Sequence, residues 1–351
     1  MSFNENTKKL LAAHAQSYPQ LQPEDVFKFL YQSSFGCEHL VESCELATCR
    51  IRDEFEKSSA DIPAKAEPLD GEYSRVYLGY LNQGLSSETL GKLFCLSAKK
   101  EEDGATALKE KLAVAKDMAR RGEFPFSYLK FSEALAKWQK DGFPPIHHSQ
   151  AFRSAYRPAY RVLSNELVRL LPLFVKLDAM LKKGAVKLAV EGGSASGKST
   201  LGALLEKIYG CTLFHMDDFF LRPEQRTPER FAEAGGNVDR ERFLSEVLVP
   251  LERGEAVNYR PFDCSTFTLK PPTEIIPQRL VVTEGAYSMH PELAKHYDIS
   301  VFLKISPNEQ KKRIEKRNGS ELAKRFFNEW IPLEEQYFKA FNIETSCDIV
   351  I

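Results

Sequence analysis

Val186-Lys187-Leu188-Ala189-Val190-Glu191-Gly192-Gly193-Ser194-Ala195-Ser196-Gly197-Lys198-Ser199-Thr200 decides the fold of the second half of the chain. The first five residues are short, apolar and run into glycines, the pattern of a buried strand. Gly192, Gly197, Lys198 and Ser199 then satisfy G-x-x-x-x-G-K-[ST], a phosphate-cradling pattern. Leu201, Leu204, Leu205 and Ile208 follow at helical spacing, so the motif joins a strand to a helix. The residue types suit the chemistry. Glycines let backbone N–H groups turn inward around phosphates, and the helix presents its positive end to them. Lys198 is expected to neutralise phosphate oxygens, Ser199 to offer a hydroxyl to Mg²⁺, and Gly193, Ser194, Ala195, Ser196 and Thr200 to complete the loop.

Working outward, strands are expected at 211–216, 279–283 and 299–305, separated by amphipathic or loop-rich stretches. That alternation predicts an α/β domain: a parallel sheet flanked by helices, of the P-loop NTPase type. Upstream, Leu167, Leu170, Leu171, Phe174, Leu177 and Leu181 form a helical face that Pro172 must start or kink. The period changes from helix to strand near Lys182-Lys183-Gly184, which divides the chain into 1–182 and 183–351. Helical spacing around Pro23 to Gln32, Ser86 to Lys100, Ala105 to Arg121 and Ser132 to Lys140 predicts a mostly α-helical N-terminal domain.

The length of 351 residues also favours two domains. With 48 Lys+Arg against 49 Asp+Glu the net charge is -1, which argues against nucleic-acid binding through bulk electrostatics. The first twenty residues have no apolar segment suited to export, and no run reaches the ~18–20 apolar residues of a bilayer span. A cytoplasmic protein is expected. Seven irregularly spaced cysteines fit reduced thiols better than a disulfide framework.

The second strand delivers Asp217-Asp218-Phe219-Phe220 at its carboxyl end, the side where open α/β sheets bind ligands. One of the two carboxylates is a candidate base for an attacking hydroxyl; the alternative is a helix cap followed by core aromatics. Gly-Gly-Ser-Ala-Ser-Gly-Lys-Ser-Thr, then Met-Asp-Asp-Phe-Phe, then Gly-Gly-Asn-Val-Asp resembles the uridine kinase family of P-loop kinases over roughly residues 185–351. The resemblance implies that Asp217 is the base for a ribose 5′-hydroxyl and that Asp239 grips the sugar diol. It implies that Phe220, where a tyrosine is usual, and Tyr259, in Val257-Asn258-Tyr259-Arg260-Pro261-Phe262, contact the acceptor. No histidine lies in that last stretch, a departure from the family that leaves the base unassigned.

Arg279-Leu280-Val281-Val282-Thr283-Glu284-Gly285 resembles a Walker B strand, which places Glu284 at the Mg²⁺ hydration shell. Arg313 and Arg317, four apart in a basic helix, match the segment that closes over the transferring phosphoryl group in these kinases; the alternative is a solvated basic face.

In the N-terminal half, Gln32 to His39 with Cys44 and Cys49 mixes metal-ligating types without the paired spacing of a zinc site. Arg153, Tyr156, Arg157, Tyr160 and Arg161 recur at three and four after Pro144-Pro145-Ile146-His147-His148-Ser149. They are expected on one helix face, as anion-binding donors or as an interface network.

These features together predict an ATP- and Mg²⁺-dependent kinase for a small hydroxylated acceptor, with a nucleoside such as uridine or cytidine the first choice. A non-nucleoside acceptor (another riboside, pantothenate or a sugar phosphate) or a nucleotide-gated regulatory protein are the alternatives.

Overall fold

The computed structural model describes residues 3–58 and 62–351 and divides into two compact units, Met1–Asp178 and Ala179–Ile351.

In the first unit, helices α1 (Phe3–Ser17), α2 (Pro23–Phe35), α3 (Cys44–Lys57), α4 (Ser87–Ser97), α5 (Gly104–Arg120), α6 (Tyr128–Lys140) and α7 (Gln150–Tyr156) dominate. Serine caps start several of them: Ser43, Ser86, Ser127 and Ser149 each accept a hydrogen bond from an N–H of the first turn. The core packs Phe27 flat on Trp138, with ring centroids 5.0 Å apart. A small antiparallel sheet, not foreseen from the sequence, has the order β1 (Ala66–Pro68), β2 (Tyr73–Tyr77), β3 (Tyr160–Ser164).

That sheet corrects the single helix face expected for Arg153 to Arg161. Helix α7 ends at Tyr156, Arg157 turns left-handed with φ 42°, and Tyr160 and Arg161 belong to β3, paired with Tyr77 and Val76. Pro158 supplies the reason, because it disfavours helical geometry at the residue before it and cannot donate to a helix. A second correction concerns the thiols. Cys44 and Cys95 form a disulfide with Cα atoms 5.8 Å apart, while Cys37, Cys49, Cys211, Cys264 and Cys347 are free. Fifty-one positions separate the pair, so no local spacing revealed it.

Pro172 is the second residue of the helix Leu171–Leu181, where its missing N–H costs nothing. The second unit is built on a five-stranded parallel sheet. Its order is Ile349–Val350, Ile299–Leu303, β4 (Val186–Gly192), Leu280–Glu284, β5 (Thr212–His215). Strand β4 is central in the sheet, and all its residues except Lys187 are buried. From β4 the chain crosses to β5 and returns to Leu280–Glu284 on one side, then passes to Ile299–Leu303 on the other side of β4, so a crevice opens at the carboxyl ends of the strands. Phe214, Met216, Phe219, Phe243 and Tyr337 fill the core beneath it. The unit is an α/β P-loop fold. No helix among the described residues is long and apolar enough to cross a membrane.

Candidate active site

Strand β4 runs directly into the phosphate loop. Gly192 has φ 146°, and a Cβ there would stand 2.6 Å from the Leu303 carbonyl oxygen, so the close approach of the neighbouring strand demands glycine. Ala195 adopts φ 60°, an uncommon conformation for a residue with a side chain. Gly197 precedes the helix Lys198–Tyr209, whose first N–H groups face the loop. Lys198 Nζ donates to the carbonyls of Gly192 (2.8 Å) and Gly193 (3.0 Å).

A cavity of about 450 Å³ opens above the loop. Ser194, Ala195, Gly197, Lys198, Ser199 and Thr200 form its floor. Asp217, Phe220, Glu284, Arg313 and Arg317 reach it from three other segments. Gly192, Gly193 and Ser196 lie outside its walls; Ser196 is buried, with an Oγ that lacks a hydrogen-bond partner. The two carboxylates after β5 also separate. Asp217 faces the cavity, whereas Asp218 accepts a hydrogen bond from the Tyr259 hydroxyl and its carbonyl accepts one from Arg242 (3.0 Å).

Asp239 and Tyr259 do not line the cavity. Tyr259 packs on Phe214 and Phe219 in the core. Asp239 is 1% exposed, caps the helix Arg240–Phe243 and sits 3.4 Å from Arg242 Nε and 3.7 Å from Arg222 Nε. Its neighbour Asn237 does reach the cavity, and Val238 forms an antiparallel bridge with Phe220.

The helix Pro307–Arg325 breaks at Gly319, where φ is 72°. Arg313 pairs with Glu309 (2.9 Å) and donates to the Ala195 carbonyl (3.3 Å); Arg317 donates to Asn318 (2.9 Å) and lies over the Phe326 ring. Gln310 tethers this helix to the loop through the Ser194 carbonyl (2.9 Å).

Desolvation by the surrounding protein raises the pKa of Asp217, with Lys198 opposing and the charges of Glu284 and Asp218 reinforcing the shift. His215 Nδ1 lies 2.6 Å from Glu284 Oε1, and that bond raises the histidine pKa. Two further carboxylates were not picked out from the sequence. Glu334 is 5% exposed, reaches the cavity wall from the helix Ile331–Phe341, and has its pKa raised by burial. Glu191 lies fully buried beneath the loop, accepting from Gly192 N (2.8 Å), Met289 N (3.1 Å) and Tyr337 Oη (3.0 Å); burial pushes its pKa up to about 7. The charged residue closing an apolar strand was a signal for Glu191. Nothing local marks Glu334, which lies 140 positions from the loop it touches.

A second cavity of about 690 Å³ shares Phe220, Asn237 and Trp330 with the first. Phe231 and Phe267 give it aromatic walls, Arg226 adds positive charge, and Arg325 is paired with Glu329 (3.2 Å), which also lines it.

No family model matches the chain. No curated protein matches it either. Several solved structures do. One is described as a possible uridine kinase from Bacillus stearothermophilus, at 21% identity over 51% of this chain and 99% of that one, with a TM-score of 0.38. Another is a kinase ascribed to a fructose transport system in Silicibacter sp. TM1040, at 21% identity, 48% and 90% coverage and a TM-score of 0.40. A shikimate kinase from Aquifex aeolicus matches at 20% identity, 47% and 85% coverage and a TM-score of 0.26. Likeness at this level concerns the fold, which the strand order and the phosphate loop already establish.

Proposed function

We propose that the protein is an ATP-dependent small-molecule kinase that transfers the γ-phosphoryl group to a hydroxyl. The observation that carries this reading is that Lys198 and Ser199 share one cavity with the Asp217 carboxylate and the guanidinium-bearing Arg313 and Arg317. A nucleotide sensor needs no base for an attacking hydroxyl; transfer to a hydroxyl acceptor does, and Asp217 faces the phosphate loop across the cavity.

The Ser199 hydroxyl and the Glu284 carboxylate supply hard oxygen donors on that cavity, a set that fits Mg²⁺ held chiefly through phosphate and water. Bound there, Mg²⁺ would draw off charge that develops on the phosphoryl oxygens. Lys198 exchanges its two carbonyl partners for phosphate oxygens, and the N–H groups of the loop hold the rest of the chain of phosphates. Asp217 orients the acceptor hydroxyl and takes its proton, a task helped by a raised pKa. Arg313 and Arg317 offset charge on the transferring group, and Phe220 packs the acceptor between the two cavities.

A nucleoside is the acceptor that the sequence resemblance suggests. A second reading, an acceptor that carries its own negative charge, is favoured by Arg226 in the adjoining cavity and by the location of Tyr259 in the core. ADP release measured with nucleosides, other ribosides, pantothenate and sugar phosphates tests both, with no acceptor as control. Stimulation by a nucleoside supports the first and stimulation by an anionic acceptor the second. Absence of any stimulation across the panel overturns the kinase reading in favour of a regulatory protein.

A further inference from the structure

The first unit holds a separate cavity of about 340 Å³, at the small end of the ~300–1,000 Å³ usual for ligand sites. Lys28, Arg50 and Arg161 line it, and Glu54 is the one carboxylate in its wall. His147, Gln32 and Tyr160 add hydrogen-bonding groups, and Phe94, Leu40 and Val162 add apolar surface. The helix–strand break at Pro158 brings His147 and Arg161 to the same hollow from either side of α7.

The cations are unevenly balanced. Arg161 pairs with Glu54 (2.8 Å) and Arg50 with Glu42 (2.9 Å). Lys28 Nζ donates to the Ile146 carbonyl (3.1 Å), and no carboxylate among the described residues stands within 4.0 Å of it. Asp25 is the nearby acid, but its oxygens are engaged by His148 Nδ1 (2.8 Å), Ser149 N (2.9 Å), Ser149 Oγ (2.7 Å) and Gln22 N (3.0 Å). Behind the wall, Arg75 is fully buried. Its Nε donates to Gln32, its guanidinium lies 4.9 Å from the Tyr160 ring centroid, and both Nη atoms lack hydrogen-bond partners. The nearest charge to Arg75 is Glu67, 3.8 Å away.

Burying a cation without a matching anion is costly. Here burial, with the charge of Arg75, pulls the Lys28 pKa down to about 8. An anion in the cavity would reverse that penalty, and phosphate oxygens match guanidinium and ammonium donors at once. The apolar wall leaves room for a short organic group.

We propose that the cavity between α2 and β3 in the first unit is a binding site for a small phosphate monoester, held by Lys28, Arg161 and Arg50 with His147 as a further donor. The site is distinct from the phosphate loop of the second unit and stands whether or not that unit is a kinase.

Isothermal titration of the full-length Lys198→Ala chain tests this, because the substitution weakens the other phosphate site. Glycerol 3-phosphate and inorganic phosphate are the probes, and malonate is the dicarboxylate control. The expected result is one site for glycerol 3-phosphate, weakened at least tenfold by Lys28→Met and by Arg50→Gln. Arg50 has a half-exposed side chain, so its replacement keeps the fold even if the Lys28 variant loses it. No heat with up to millimolar glycerol 3-phosphate overturns the proposal, as does binding indifferent to Arg50→Gln. Tighter binding of malonate overturns the phosphate assignment.

Discussion

The Glu334 carboxylate accepts two hydrogen bonds from Ser194, one from the backbone N–H at 2.8 Å and one from the hydroxyl at 2.6 Å. A negative group thus sits on the rim of a loop built to receive negative ligands, and it tethers the loop to the helix Ile331–Phe341. Lys198 contributes to keeping that carboxylate charged, against its burial.

Glu334→Gln is therefore expected to tighten ATP binding. The amide still accepts from the Ser194 N–H but removes a full charge from the cavity, and a gain of roughly tenfold corresponds to about 1.4 kcal/mol. Because burial raises the Glu334 pKa, the wild-type protein gains affinity as pH falls and the carboxylate takes up a proton. Calorimetric titration from pH 5 to pH 8 checks this, and a difference between wild type and Glu334→Gln that does not narrow towards the acid end would refute it.

Lys198→Ala is expected to lower phosphoryl transfer about 10²- to 10³-fold, the usual cost of losing one charge-stabilising donor. The loop should keep its shape, since its backbone turns depend on Gly192 and Gly197 rather than on the ammonium. Single-turnover rates at saturating ATP separate this loss from weakened binding.

Asp217 and Asp218 are neighbours with different surroundings, and the difference is measurable. Asp217→Asn should reduce kcat by ~10²–10⁴ while ATP binding persists. Asp218→Asn should mainly loosen the Tyr259 contact, seen as a lower Tm. In the wild type kcat/KM should fall on the acidic side as Asp217 gains its proton, beginning at a higher pH than an ordinary aspartate would give. A flat acid limb would contradict the role of base.

Glu191 makes the second unit sensitive to pH. Its folded-state pKa of about 7 exceeds the ordinary 4.5, so between those values the folded chain holds a proton that the unfolded chain has released. Its contribution to stability is full below the unfolded value and declines as pH rises towards 7. Thermal unfolding from pH 5 to pH 8 should show the wild type losing Tm relative to Glu191→Gln; parallel profiles would contradict it.

The phosphate loop was legible in the sequence because its chemistry is local: glycines, Lys198 and Ser199 lie within one turn of chain, bracketed by a strand and a helix. The sheet was legible for a similar reason, since buried parallel strands are short apolar runs. Asp239 and Tyr259 illustrate the limit. A residue type and position fit a family pattern, but the direction of a side chain depends on partners such as Arg242 and Asp218 that the spacing does not disclose. The stretch from Arg153 to Arg161 misled because its helical spacing continues across Pro158, whereas the backbone does not. Glu334 was hidden because its partner lies on another element.

The chain has two tryptophans, Trp138 stacked on Phe27 in the first unit and Trp330 at the junction of the two cavities in the second. Each unit therefore has its own intrinsic fluorophore, and the two occupy different environments. Trp330 emission should respond to nucleotide or acceptor arrival, and Trp138 emission to melting of the helical unit. With Trp138→Phe and Trp330→Phe as complementary silencers, an unlabelled chain can report catalytic occupancy and the integrity of its other half as separate optical signals.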